Sequence, residues 1–157
     1  MLKKITLSAL LILFPISPSF AAATEADVKY SQEVIALTQE FAKVVTTWTA
    51  AVSNPPTFSV GSKYNNWKKG AIDASTKMQA TVSKFATLKP TPGLAVSDAL
   101  LKKACKEYSL GLTNFIQALN KKDKKLADKA SNSLVNASKS YSAWVTAYAT
   151  DIKAING

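Results

Sequence analysis

Apolar residues recur along this chain in four long stripes whose members are alternately three and four positions apart. This spacing is typical of an α-helix with one buried face. The stripes cover residues 30–52, 64–88, 94–119 and 126–152. Apolar and polar residues do not alternate with period two over any comparable length, so the pattern predicts an all-α protein without a sheet.

Prolines mark where the helices stop. Asn54, followed by two prolines, ends the first predicted helix, and Lys89 before Pro90 ends the second, because proline disfavours helix in the preceding residue. Helices are predicted over about residues 25–53, 62–88, 92–120 and 123–155. Short connections between long helices favour antiparallel neighbours, which predicts an up-and-down antiparallel four-helix bundle. Two helical hairpins that pair only on dimerisation are the alternative, so the oligomeric state stays open.

Polar residues at the predicted helix starts are typical of caps. Thr24 with Asp27 three positions later predicts a capped first helix. Thr91 before Pro92 predicts a cap followed by proline in the first turn, where its missing N–H costs nothing. Asp123 is predicted to cap the fourth helix.

The first 23 residues have the composition of a secretory signal peptide. Lys3 and Lys4 precede the mostly apolar residues 5–14, and small residues follow the break at Pro15. This segment is too short to span a bilayer, for which about 20 apolar residues are needed. We expect cleavage after residue 21 or residue 23, both alanines. Residues 24–157 are then one bacterial periplasmic or secreted domain without a transmembrane anchor.

All 20 positive side chains are lysines, because the sequence holds no arginine and no histidine. Without histidine, the commonest general base and metal ligand are missing. Without arginine, there is no planar fork for bidentate recognition of phosphates or base edges. We therefore predict a non-catalytic protein with no cofactor, no metal and no nucleic-acid partner.

Cys105 is the single cysteine, so an intramolecular disulfide is excluded. It falls on the third apolar stripe, where a thiol packs as a small apolar group and is unreactive. A cysteine at a dimer interface is the alternative.

The lysines concentrate at one end of the predicted bundle, where an up-and-down topology brings the first and third turns together. We call this the basic end. Its lysines are Lys63, Lys68, Lys69, Lys121, Lys122, Lys124, Lys125 and Lys129. Asp73, Asp123 and Asp128 oppose these lysines, and Phe58 and Val60 add apolar character. At the opposite end, six acids nearly balance seven lysines.

The acids themselves are predicted to lie on the solvated face. Most of them stand four positions from a lysine, as Asp98 does from Lys102 and Asp128 from Lys124. Such pairs stabilise a helix by only a few tenths of a kcal/mol and serve mainly solubility. On this reading the acids avoid the apolar stripes.

Two functions fit these features. In the first, the protein binds an envelope partner or an anionic surface (lipid headgroups, lipopolysaccharide, wall polymer or an acidic protein) through its basic end. In the second, it carries or senses a small ligand in an interhelical pocket lined by Trp67, Tyr108, Tyr141 and Trp144. The simpler readings are that the lysines serve solubility and that the aromatics fill the core.

Overall fold

The computed structural model describes residues 23–57 and 60–156, and these are all-helical, as the stripes predicted. Four α-helices follow one another and pack as a helical bundle: α1 (Glu25–Val52), α2 (Gly61–Ala86), α3 (Ala95–Lys121) and α4 (Lys124–Ile155). The described residues contain no strand. Residues 1–22 of the predicted signal peptide lie outside the described residues, and Phe58 lies outside them as well.

Side-chain caps begin α1 and α4. Thr24 Oγ1 accepts a hydrogen bond from the Asp27 N–H at 3.2 Å, and an Asp27 oxygen accepts one from the Thr24 N–H at 3.0 Å. Asp123 accepts hydrogen bonds from the N–H groups of Lys125 and Leu126 at 2.8 and 3.2 Å. Both predicted caps are confirmed, and each satisfies N–H groups that have no partner within the helix.

The connection from α2 to α3 differs from the expectation. Pro92–Leu94 forms a single 3-10 turn, and α3 begins only at Ala95. Contrary to the prediction, the Thr91 hydroxyl makes no cap hydrogen bond with this turn; it donates to the Asp27 carboxylate. That bond fastens the connection to the start of α1.

Hydrogen bonds show the directions of α1 and α2. Trp48 Nε1 donates to Ser75 Oγ at 2.9 Å, and Lys84 pairs with Glu40 at 2.8 Å. As α1 advances from residue 40 to residue 48, its partner in α2 moves back from residue 84 to residue 75. The two helices therefore run in opposite directions.

The same relation holds between α3 and α4. The Ser97 N–H donates to Asp151 at 3.1 Å, and Ser140 Oγ donates to Glu107 at 2.8 Å. Gly111 lies in this hairpin directly against Leu134, where a Cβ on residue 111 would stand 2.8 Å from Leu134 Cγ. The absence of a side chain at residue 111 thus lets the two helices approach closely.

The core divides into two clusters. The larger one contains an aromatic group around Phe41, whose ring centre lies 5.3 Å from that of Tyr108, 5.5 Å from that of Tyr141 and 5.8 Å from that of Phe85. These distances are those of favourable tilted or edge-to-face aromatic pairs. The smaller cluster has Ala71, Phe115, Leu119 and Ala130 at its centre, with Val52, Trp67 and Ile72 packed against it.

Candidate functional site

The structure brings the turn between α3 and α4 close to the start of α2, at one end of the bundle. Lys122, in the turn between α3 and α4, lies with its Nζ 5.9 Å from the centre of the Tyr64 ring near the start of α2. The smaller core cluster makes the same connection, because it joins Trp67 of α2 to Leu119 of α3 and Ala130 of α4. The α3–α4 turn and the first turns of α2 thus lie side by side at this end of the bundle.

Local backbone geometry makes this turn short. Lys122 ends α3 in the left-handed conformation with φ of +54°, and Asp123 directly caps α4. A two-residue turn therefore separates lysines that end one helix from lysines that begin the next. Seven of the eight lysines of the basic end are exposed, and Lys68 is half-buried.

The acids near the basic end do little to offset its lysines. Asp128 pairs with Lys124 at 2.6 Å, and both side chains are exposed. The Asp123 carboxylate is directed at backbone N–H groups in the first turn of α4. Asp73 is exposed. With eight lysines against three acids, the surface keeps a net charge of +5.

Apolar and aromatic residues lie beside this charge. Val60 precedes α2 and is 69% exposed. Tyr64 is buried and Trp67 half-buried, and their ring centres are 5.9 Å apart. The indole N–H of Trp67 is enclosed and makes no hydrogen bond within the described residues. The basic end thus combines flexible positive charges with one exposed aliphatic side chain.

Lysine determines which anions such a surface can bind. Each ammonium group is a compact, strongly hydrated charge on a flexible stem, and it lacks the planar fork with which arginine grips one carboxylate or phosphate. Eight such groups at one end match a diffuse array of negative charges better than a single precisely oriented anion. The arrangement is therefore suited to electrostatic docking.

The four residues of the predicted pocket are not brought together. Tyr108, Tyr141 and Trp144 all belong to the larger cluster, and the rings of Tyr141 and Trp144 lie 4.9 Å apart. Trp67 packs instead against the smaller cluster near the basic end. Burial raises the pKa of Tyr108 and of Tyr141. Tyr108 and Tyr141 pack on Phe41, and Tyr141 also packs on Trp144.

Trp144 keeps one feature that simple packing does not explain. Its side chain is 3% exposed, and its indole N–H makes no hydrogen bond within the described residues. A buried donor without a partner costs free energy. The tryptophan is nevertheless held on three sides by the rings of Phe85, Tyr141 and Tyr148.

Buried acids at the opposite end of the bundle correct the prediction that acids avoid the stripes. Asp98 does pair with Lys102, at 2.7 Å, but its carboxylate is buried rather than on the solvated face. It also accepts a hydrogen bond from Tyr30 Oη at 2.9 Å. Asp27 is likewise buried, beneath Thr24 and Thr91. The hydrogen bonds to these partners offset the free-energy cost of removing both carboxylates from water.

The sequence carried a signal for these positions. Asp98 stands three residues before Leu101 in the third stripe, and Asp27 stands three before Tyr30 in the first. Both acids therefore continue the periodicity of a buried face. That register, rather than the lysine four positions away, decides where the carboxylates lie.

Cys105 lies in the larger cluster and is buried. Burial raises the pKa of its thiol to about 12, and the nearby Asp98 carboxylate contributes in the same direction. At neutral pH the side chain is a thiol and not the nucleophilic thiolate. Its position agrees with the prediction of a small apolar residue in the core.

Comparisons of the chain with protein families, with characterised proteins and with solved structures gave no match. Within the part of the chain that the structure describes, none of the helices has the length and apolar character needed to cross a membrane. Over the same residues, no three acidic or cysteine side chains gather closely enough to hold a metal ion.

Proposed function

We propose that this chain is an exported, non-catalytic protein of the bacterial cell envelope that docks on an anionic surface through its basic end. The observation that carries the proposal is the contact between Lys122 and Tyr64, because it places the lysines of the α3–α4 turn near those at the start of α2. The proposal includes an up-and-down antiparallel arrangement of the four helices. It also includes removal of residues 1–23 as a signal peptide.

Electrostatic attraction of this kind is strong enough to dock a small protein. A lysine close to an anionic surface contributes about 1 kcal/mol at physiological ionic strength. If half of the basic end reaches the surface, the total of about 4 kcal/mol corresponds to roughly a thousandfold gain in partitioning. The three nearby acids subtract from this gain, although Asp123 is directed at the backbone of α4.

A non-catalytic role is supported by the chemistry of the side chains. The sequence contains no histidine, and its one thiol is buried with a raised pKa. The buried tyrosines also have raised pKa values, so they remain neutral phenols. These groups stabilise the core and are poor candidates for proton transfer at neutral pH.

The test measures binding of residues 24–157, which include all four helices, to vesicles at a series of salt concentrations. Vesicles of phosphatidylcholine alone are compared with vesicles containing phosphatidylglycerol. We expect binding to the anionic vesicles only, and we expect added salt to weaken it. A variant with Lys121, Lys122, Lys124 and Lys125 changed to glutamine is expected to bind at least about tenfold more weakly.

A matched control removes the same charge elsewhere. Glutamine replaces four exposed lysines away from the basic end: Lys29, Lys89, Lys106 and Lys153. This control is expected to retain most of the binding, and circular dichroism checks that both variants are folded. If the two variants lose the same amount of binding, binding depends on net charge alone and not on the basic end. If the unchanged protein does not bind the anionic vesicles, the proposal is overturned. Mass spectrometry of the envelope fraction tests export, since an intact Met1 there would contradict it.

A further inference from the structure

Building on the proposed function, we infer that the anionic surface is a lipid bilayer and that Val60 enters its interface while the lysines of the basic end contact the headgroups. The inference depends on the position of Val60 beside the lysines. Its side chain is 69% exposed directly before α2, three residues from Lys63 and four from Tyr64. An exposed aliphatic group beside lysines gains free energy from a bilayer interface, which a purely hydrophilic polyanion cannot supply.

The composition of the basic end favours lipid over a structured acidic partner. Its charges are all lysines, whose flexible stems adapt to headgroups that move laterally. Charge complementarity with an anionic leaflet follows from the eight lysines and the three acids of this end. Membrane attachment that is stable generally needs two contributions, and here they are a cluster of positive charges and an inserted apolar group.

Two aromatic residues lie behind Val60 at the start of α2. Tyr64 and Trp67 follow Val60 on the first two turns of α2, and Trp67 is half-buried. Tyrosine and tryptophan are enriched where membrane proteins meet the headgroup layer, because their rings are apolar and their tips are polar. Because Tyr64 is buried, the half-buried Trp67 is the one of these two rings that is partly accessible beside Val60.

The test compares two valines of equal exposure. Val60 is 69% exposed and Val96, near the start of α3, is 70% exposed. Val60→Asn and Val96→Asn remove the same apolar surface from opposite ends of the bundle. Val60 is the N-cap of α2 and makes no side-chain cap hydrogen bond, so asparagine there is compatible with the fold. Thermal unfolding of both variants checks that they are folded.

Each variant is measured against phosphatidylglycerol vesicles and against soluble polyphosphate, a polyanion without an apolar layer. Val60→Asn is expected to weaken vesicle binding about three- to tenfold and to leave polyphosphate binding unchanged. Val96→Asn is expected to change neither. The glutamine variant of the basic end is expected to bind both vesicles and polyphosphate more weakly, because the lysines attract both anions.

The outcomes separate this inference from the proposed function. If Val60→Asn binds vesicles as well as the unchanged protein while the glutamine variant loses them, docking by charge stands and insertion of Val60 is overturned. If Val60→Asn weakens binding to vesicles and binding to polyphosphate equally, the contribution of Val60 is not specific to a bilayer and the inference also fails. Failure of the proposed function itself would appear as unchanged vesicle binding by the glutamine variant.

Discussion

Asp98 and Tyr30 connect α1 to α3 through a hydrogen bond inside the protein. The phenol donates to a carboxylate that is buried and that also accepts from Lys102. Burial and the neighbouring carboxylate raise the pKa of Tyr30, so the phenol keeps the proton that it donates. Hydrogen bonds to charged groups contribute about 1.5–3 kcal/mol, more than bonds between neutral groups.

We therefore expect Tyr30→Phe to lower the free energy of unfolding by about 1.5–3 kcal/mol, measured by urea denaturation. Asp98→Asn should cost a similar amount, since it leaves Lys102 without its carboxylate. In the double variant the two losses should add only in part, because Asp98→Asn removes the charge that strengthens the bond deleted by Tyr30→Phe. Asp128→Asn is the control; its ion pair with Lys124 is exposed, and the expected change is within about 0.5 kcal/mol. Additive losses would show that the two residues act independently.

Whether a particular acid is buried could have been predicted only in part. Asp98 lies in register with Leu101, which indicates a buried face, but it also lies four residues from Lys102, which indicates a surface pair. The first indication proved correct and the second only in part, because the ion pair with Lys102 forms but its carboxylate is buried. What sequence could not supply is Tyr30, whose hydroxyl comes from a helix 68 positions away along the chain.

At the scale of the helices, the closest packing is between α3 and α4. A Cβ on residue 111 would lie 2.8 Å from Leu134 Cγ and 3.2 Å from the Leu134 backbone nitrogen. The side chain of Leu134 is fully buried, so it has little room to move aside. Glycine at this position therefore lowers the helix propensity of α3 but allows α3 and α4 to pack closely.

We expect Gly111→Ala to destabilise the protein by about 1–3 kcal/mol, because the added methyl group forces α3 and α4 apart. Gly70→Ala is the matched control. Residue 70 is also inside a helix, but nothing lies within 4 Å of a Cβ added there. That substitution should raise the free energy of unfolding by about 0.5–1 kcal/mol through helix propensity alone. Stabilisation by both substitutions would mean that Gly111 does not limit the approach of the helices.

The helices follow from local chemistry, and their contacts do not. The stripes predicted four helices because each buries one face, and Thr24 and Asp123 cap them as expected. The Thr91 hydroxyl, by contrast, donates to the distant Asp27 carboxylate, and an unpredicted 3-10 turn at Pro92–Leu94 precedes α3. Tertiary contacts of this kind leave no trace in the periodicity of a single segment.

At the scale of the whole molecule, the stability of the fold at low pH depends on the carboxylates whose pKa values change on folding. Hydrogen bonds from the hydroxyls of Thr24 and Thr91 hold the pKa of Asp27 below its ordinary value, although burial opposes them. Because the folded pKa is the lower one, the resulting stabilisation is complete above the unfolded pKa of about 3.9 and is lost as pH falls through the folded pKa.

We expect the difference in stability between the unchanged protein and Asp27→Asn to be largest near neutral pH and to shrink on acidification below about pH 4. Urea unfolding at a series of pH values measures it. Glu25→Gln is the control, since Glu25 is exposed in the same helical turn and is expected to show a much smaller pH-dependent difference. A difference for Asp27→Asn that stays constant with pH would contradict the role of its charge.

The basic end could be predicted from sequence further than the pocket could. Assigning lysines to one end needs only the order and directions of the helices; that the eight lysines form one basic end stays a prediction, and the structure adds the contact of Lys122 with Tyr64. To predict the pocket, one would need to know which aromatic residues lie at the same height along the bundle. Trp67 and Trp144 both fall on apolar stripes, yet they pack in different clusters.

The closeness of the α3–α4 turn to the start of α2 also affects how the protein, on the proposed function, would arrive at a charged surface. A body with its excess charge at one end experiences a torque in an electric field as well as a net force. Within about a Debye length, roughly 8 Å at physiological salt, that torque turns the molecule so that the basic end leads. Most collisions then begin in one orientation, and few are wasted on the other faces of the bundle.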